Sequence, residues 1–302
     1  MALKTVVRSF SQYNKFRIMK RIFLFLALVL GTVVSAQSVL DYDREPNAQD
    51  DNFYIKHHYE TNRVIPYAKV READVMWAKR YWQRLDMKQK LNHPLYYPIV
   101  PIQNRKSLFD VMIGAVVDEE RLTAYDDDEF KYQLTRQEVM DRIFSVDTIT
   151  DYDINTNQAF QRLDTVAVQS ANIMEYLIKE DWFFDKKRSV MEVRILGICP
   201  VAYVENRESG NIEKQQMFWL WFPELRPVIA NFETFNRQND AERRSFDEVF
   251  HLRMFESYIV EESNVYDRTI YDYNQLNALD QLLEAERIKT QIRNFELDLW
   301  EY

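Results

Sequence analysis

The sequence predicts an α+β fold: mixed helices packed on a sheet with a central hairpin at about 190–222, and a long amphipathic helix at the C-terminus. Three observations predict it. Helix-start signals recur, as Thr135 with Glu138 and Ser245 with Glu248, where a hydroxyl caps and an acid three residues on answers it. The stretch from Met191 alternates, becomes apolar through Leu196–Ala202, turns at 206–211 and returns through apolar Met217–Phe222. From Tyr273 to Leu299 apolar residues recur at three- and four-residue spacing. No repeat of fixed period is visible.

The N-terminus carries an export pattern. Residues 19–36 read MKRIFLFLALVLGTVVSA, with basic Lys20 and Arg21, an apolar run Ile22–Val34, and small residues at Val34 and Ala36 before Gln37. These are the three parts of a secretory signal peptide. The run is too short to span a membrane comfortably, and no cysteine stands beside the cleavage site to take a lipid. The expected start is Met19, with cleavage after Ala36. Residues 1–36 hold six basic side chains and no acids, so their removal takes the formal net charge from −9 to −15. Such a charge repels nucleic acid and anionic lipid and suits a basic partner. Cys199 is the single cysteine, so no intrachain disulfide forms and stability rests on the core. With 46% apolar residues that core is ample.

Residues 37–65 are polar and acidic, with Asp41, Asp43, Glu45, Asp50 and Asp51, and read as a flexible arm. Residues 66–302 read as a single α+β domain. Lys69–Leu91 is expected to be a helix, with Val70, Ala73, Trp77, Tyr81 and Leu85 on one face and a stop at Asn92-His93-Pro94. Ser107 with Asp110 opens the next helix. The acidic run Asp126-Asp127-Asp128-Glu129 follows, then a short helix from Thr135 through Phe144. The pattern from Asp147 to Gln169 is β-like. Ser170 and Asn172 are expected to open a helix holding Ile173, Met174, Leu177 and Ile178. The strand and return strand of the hairpin come next, the return strand apolar on both sides and so central or covered. Ser245 opens a helix with Val249, Phe250 and Phe255. The last helix, 273–299, has one stripe at Leu276, Leu279 and Leu283 and another at Ile288, Ile292, Phe295 and Leu299. The five-residue step between them breaks the heptad, so the helix docks on the domain or on a partner rather than forming a continuous coiled coil.

Catalytic constellations are absent by motif. With 4 glycines there is no phosphate loop, and no GxSxG, SxxK or HExxH exists. Residues 151–162 imitate the start of a calcium loop, but Thr156 and Arg162 stand where glycine and a bidentate acid are required. His57 and His58 are adjacent, His93 precedes a proline and His251 sits in a helix, so none has metal-ligand spacing. Cys199 in an apolar strand reads as a core thiol. The acids 126–129 could pair for hydrolysis, or they form a solvated loop. Trp219 and Trp221 share a strand face, which suits a core strand, a protein interface or a sugar-stacking platform.

Several long strings point to a family. READVMWAKRYW at 71–82, LNHPLYYP at 91–98, LTAYDDDEF at 122–130, YLIKEDWFFDKKRSVMEVRILGICP at 176–200, FWLWFPELRP at 218–227, ESNVYDRTI at 262–270 and the terminal LDLWEY resemble the GldN/PorN family of Bacteroidota. The resemblance implies a structural, non-enzymatic component of the type IX secretion and gliding-motility machinery. It implies a periplasmic location under the outer membrane and a ring formed by self-association with a GldK/PorK-like lipoprotein. It also implies contact with the periplasmic part of a GldM/PorM-like motor protein, no cofactor and no nucleic acid. On that reading the candidate interface residues are Trp219, Trp221, Phe295, Leu299 and Trp300. The rival readings are a secreted hydrolase using residues 126–129 and a carbohydrate-binding module using strand 217–222.

Overall fold

The computed structural model describes residues 62–299, apart from 103–104, 153–158, 207–210, 237–238, 240, 267 and 274–276. The expected signal peptide, the arm up to residue 61, His57, His58, Leu276 and Trp300 lie outside the described residues. In chain order the strands are β1 (Val75–Asp86), β2 (Ala124–Tyr125), β3 (Gln133–Leu134), β4 (Phe144–Tyr152), β5 (Ala159–Ala167), β6 (Ile173–Asp185), β7 (Val190–Asn206), β8 (Asn211–Gln216), β9 (Trp219–Trp221), β10 (Glu233–Thr234), β11 (Arg244–Ser245) and β12 (Tyr258–Glu262). The helices are α1 (His93–Tyr96), α2 (Leu108–Ile113), α3 (Arg136–Ile143), α4 (Phe222–Ile229), α5 (Phe246–His251), α6 (Ile270–Tyr273) and α7 (Ala278–Asp298). The fold is α+β.

One antiparallel sheet organises the molecule, in the order β12-β1-β6-β7-β9-β2-β3, with β8 also paired to β7. β8 and β9 together make the return arm of the expected hairpin. Val201 faces Gln216 and Ile198 faces Leu220, so the register slips by one residue across Met217-Phe218. That slip is a bulge, and it separates an exposed polar strand from a buried aromatic one. Opposite residues share a sheet face. Ile178 opposite Ile198 lies on the face of the main core, with Leu85, Tyr176 and Leu220. There they meet Phe109 and Met112 of α2, Leu225 and Ile229 of α4, and Phe246 and Phe250 of α5. Burying each such side chain stabilises the fold by about 1.5–3 kcal/mol. Leu177 opposite Cys199 lies on the other face, in a smaller cluster with Val201 and Trp219.

Three expectations from the sequence need correction. Residues 69–91 hold strand β1, not a helix. Tyr81, Gln83 and Leu85 are buried in alternation, a period of two that the four-residue spacing of Trp77, Tyr81 and Leu85 also satisfies and so concealed. Pairing with β6 along nearly its whole length decides the matter, because β-propensity is largely a response to such packing. Residues 173–185 are likewise strand β6. Ser170–Asn172 forms a single 3-10 turn, and Ser170 instead bonds to the Ser107 hydroxyl and donates to Asp110 at the start of α2. β6 is buried on both faces, so it reads as a near-continuous apolar run with no period to distinguish helix from strand. The return strand ends at Trp221, and Phe222 opens helix α4 with Pro223 in its first turn.

The local helix signals form as expected. Thr135 and Glu138 cap α3 reciprocally, as do Ser245 and Glu248 at α5. The Ser107 hydroxyl accepts from the Asp110 backbone N–H at 3.1 Å. The last helix starts at Ala278, capped by Asn277, after the separate short helix α6.

Candidate functional site

The tryptophan strand is closed by the chain itself. Trp219 is 4% exposed and packs with Leu177, Cys199 and Val201. Trp221 is half-buried, edge-on to Phe130 at 4.9 Å between ring centres. Phe130 belongs to the acidic turn between β2 and β3, which folds back over the sheet. The turn uses left-handed backbone at Phe130, with φ 58°, a conformation that non-glycine residues adopt at some cost. Gly197 makes room for the ring: a Cβ there would lie 2.5 Å from Phe130 Cζ.

The acids of this turn hold it in place. Lys179, whose side chain is only 4% exposed, donates to the Asp128 carbonyl at 2.6 Å and to its carboxylate at 3.0 Å. Trp82 Nε1 donates to the same carboxylate at 2.8 Å. Burial raises the Asp128 pKa, but the hydrogen bonds from Lys179 and Trp82 outweigh it and the net shift is downward. Asp126 pairs with Arg142, Asp127 accepts the Lys131 backbone N–H, and Glu129 pairs with Lys131. The four acids are thus spread over Arg142, Lys131 and Lys179 rather than converging on one point. Among the described residues no group of three or more His, Cys, Asp or Glu is placed to hold a metal. A stacking platform would need two open rings, and Trp219 is covered.

Cys199 is fully buried, and burial pushes its thiol up to about 12. That disfavours the thiolate a nucleophile needs. His93 stands edge-on to Tyr97, and His251 packs near the ring of Tyr67.

The C-terminal helix presents two faces. Ala285, Ile288 and Ile292 dock on Tyr81 and Ile259 at the β12–β1 edge of the sheet. Phe295 is half-buried against Trp77, with ring centres 4.8 Å apart, and Leu299 is half-buried. The leading stripe lies on another side: Leu279, Leu282 and Leu283 are 61%, 54% and 58% exposed. Nearby in sequence, Val265, Tyr266 and Tyr271 are also exposed. The three leucines share one side of α7, and clustered exposed apolar surface marks interaction sites.

Sequence reasoning missed the buried polar side chains. Glu180, 0% exposed, accepts two bonds from Arg253 at 2.9 and 3.2 Å, one from Gln83 at 2.8 Å and one from Trp182 at 3.0 Å. Arg226 of α4 makes a two-pronged pair with Asp247 of α5. Asn92 joins the end of β1 to residue 256 through three bonds. The available signal was the run Lys179-Glu180-Asp181 inside an otherwise apolar segment, because buried charges persist only when paired.

Two comparisons bear on these surfaces. The profile of the family described as gliding motility associated protein GldN matches residues 70–301. No curated protein matches the chain.

Proposed function

The chain belongs to the family of gliding motility associated protein GldN, and from that premise we propose that it is a structural, non-enzymatic, periplasmic part of the type IX secretion and gliding machinery. It acts by assembly: a ring under the outer membrane with a GldK/PorK-like lipoprotein, touching the periplasmic part of a GldM/PorM-like motor protein. The family match over residues 70–301 carries this reading. Three features support it. Residues 19–36 have an export pattern. Among the described residues no helix is long and apolar enough to cross a membrane. The acids of the 126–129 turn are engaged in holding the fold, while the leucines at the start of α7 have open faces to bury.

The test is purification of the tagged protein from the native envelope in mild detergent, with partners identified by mass spectrometry. The expected result is a high-mass complex with a lipoprotein and the motor protein. Isolation as a lone monomer would overturn the proposal. The double variant Leu279→Lys/Leu283→Lys should release at least one partner while leaving the circular dichroism unchanged.

A further inference from the structure

Helix α7 carries two seams at alternating three- and four-residue spacing, on opposite sides. One runs Ala285, Ile288, Ile292, Phe295 and docks on the sheet edge and on Trp77. The other runs Leu279, Leu283, Glu286, Thr290, Arg293, Leu297, in steps of four, three, four, three and four. Thr290 is half-buried and the rest are exposed; Leu297, at the far end from Leu279, is 57% exposed. None of the buried clusters includes any of them. Such a heptad seam is the pattern by which one helix packs along another. Its charges are also open. Among the described residues no ion pair engages Glu286 or Arg293, whereas Arg287 beside them is held by Glu284.

We propose that this outward seam receives the same helix of a second copy of the chain, running antiparallel about a two-fold axis. Reversed, the seam maps onto itself. Leu279 meets Leu297 of the second copy, Leu283 meets Arg293 and Glu286 meets Thr290, and each contact occurs twice. The outermost layers are leucine on leucine. In the next, the alkyl stem of Arg293 covers Leu283 while its guanidinium reaches for water. Glu286 lies one layer from that guanidinium, three residues or about 4.5 Å along the axis, so two ion pairs flank the centre. A parallel pair in register would instead set Glu286 against Glu286 and Arg293 against Arg293, and like charges repel. Polar seam positions fix orientation in this way at some cost in stability, so the pair is specific rather than tight. The inference rests on the assembly reading only in taking the open leucines as an interface, and it names what covers them.

The test mixes two single variants of the isolated chain from residue 37, L279C and L297C, under mild oxidation. Buried Cys199, with its raised pKa, stays silent. The expected product is a covalent dimer joined between positions 279 and 297, identified by peptide mapping. Its yield should exceed several-fold that from either variant alone, because an antiparallel pair holds like positions at opposite ends. No covalent dimer, or as much from each variant alone, would overturn the proposal. Sedimentation equilibrium gives a second reading without engineered thiols. E286K should weaken the dimer several-fold and E286K/R293E should restore it, with circular dichroism unchanged throughout. A protein monomeric at every concentration, or a double variant no better than the single one, would overturn the proposal as well. If the seam instead serves a lipoprotein or the motor protein, the isolated chain forms no 279–297 disulfide while Leu279→Lys/Leu283→Lys still releases that partner from the envelope complex. That outcome would overturn the helix pair and leave the assembly reading standing.

Discussion

The tryptophan strand and the C-terminal helix are the two aromatic or leucine-rich stretches that invite a binding role, and they differ in who covers them. β9 is covered from within: the 126–132 turn, some ninety residues upstream of it in sequence, lays Phe130 over Gly197 and Trp221 and anchors itself with Asp128 on Lys179. The first turns of α7 are different. Leu279, Leu282 and Leu283 belong to none of the buried clusters, although Ile288 and Ile292 one to three turns later are fully docked. Apolar content alone therefore does not distinguish core from interface. What distinguishes them is whether the chain supplies a second surface, and that surface can come from any distance in sequence.

The sharpest way to break this contrast is to unpin the turn. Asp128→Ala leaves the Lys179 ammonium buried without its carboxylate, and stability by urea denaturation should fall by about 3 kcal/mol or more. An unchanged midpoint would show that the turn is dispensable cover. Ile288→Ala, on the docked side of α7, should cost about 2–4 kcal/mol through the cavity it leaves. Gly197→Ala puts a methyl into Phe130 and should cost about 1–3 kcal/mol, with part recovered when Phe130→Leu is added; strict additivity in that double-mutant cycle would contradict the packing described. Leu283→Ala should change stability by no more than about 0.5 kcal/mol, while weakening co-purification of a partner. A large loss of stability there would place the residue in the core.

The smallest expected effect is on pH dependence. The folded Asp128 carboxyl titrates below its ordinary range, so it contributes stability that is present above the unfolded carboxylate pKa of about 4 and is lost as pH falls below it. Replacing it by Asn should flatten the stability profile below about pH 4 without altering its shape near neutrality. Equal acid slopes in the two proteins would remove Asp128 from the account.

Legibility followed range of interaction. The capping pairs at Ser107, Thr135 and Ser245 form because each needs partners only three residues away. The β7 hairpin was legible because its two arms sit across one short turn. β1 and β6 were not, since Val75–Asp86 and Ile173–Asp185 satisfy each other from a hundred residues apart and carry apolar residues on positions compatible with either period. Of the candidate interface residues, Trp219 is interior, Trp221 and Phe295 are half-covered by Phe130 and Trp77, and Leu299 is half-buried. The exposed leucines stood in the sequence as the first of two stripes, and the break between Leu283 and Ile288 signalled that the stripes face different ways.

By itself, the sequence determined the α+β class, the helix starts, the central hairpin, the burial of Cys199 and the membership strings that run through most of the chain. Those depend on local hydrogen bonds, short turns and composition. Tertiary structure alone decided that β6, which pairs with the hairpin, and β1, which pairs with β6, are strands, that the acidic turn closes over the tryptophans, and which stripe of α7 docks. Those outcomes depend on pairing and burial between distant segments, where a strand's partner, a lysine's counter-ion and a leucine's cover are supplied only once the chain has folded.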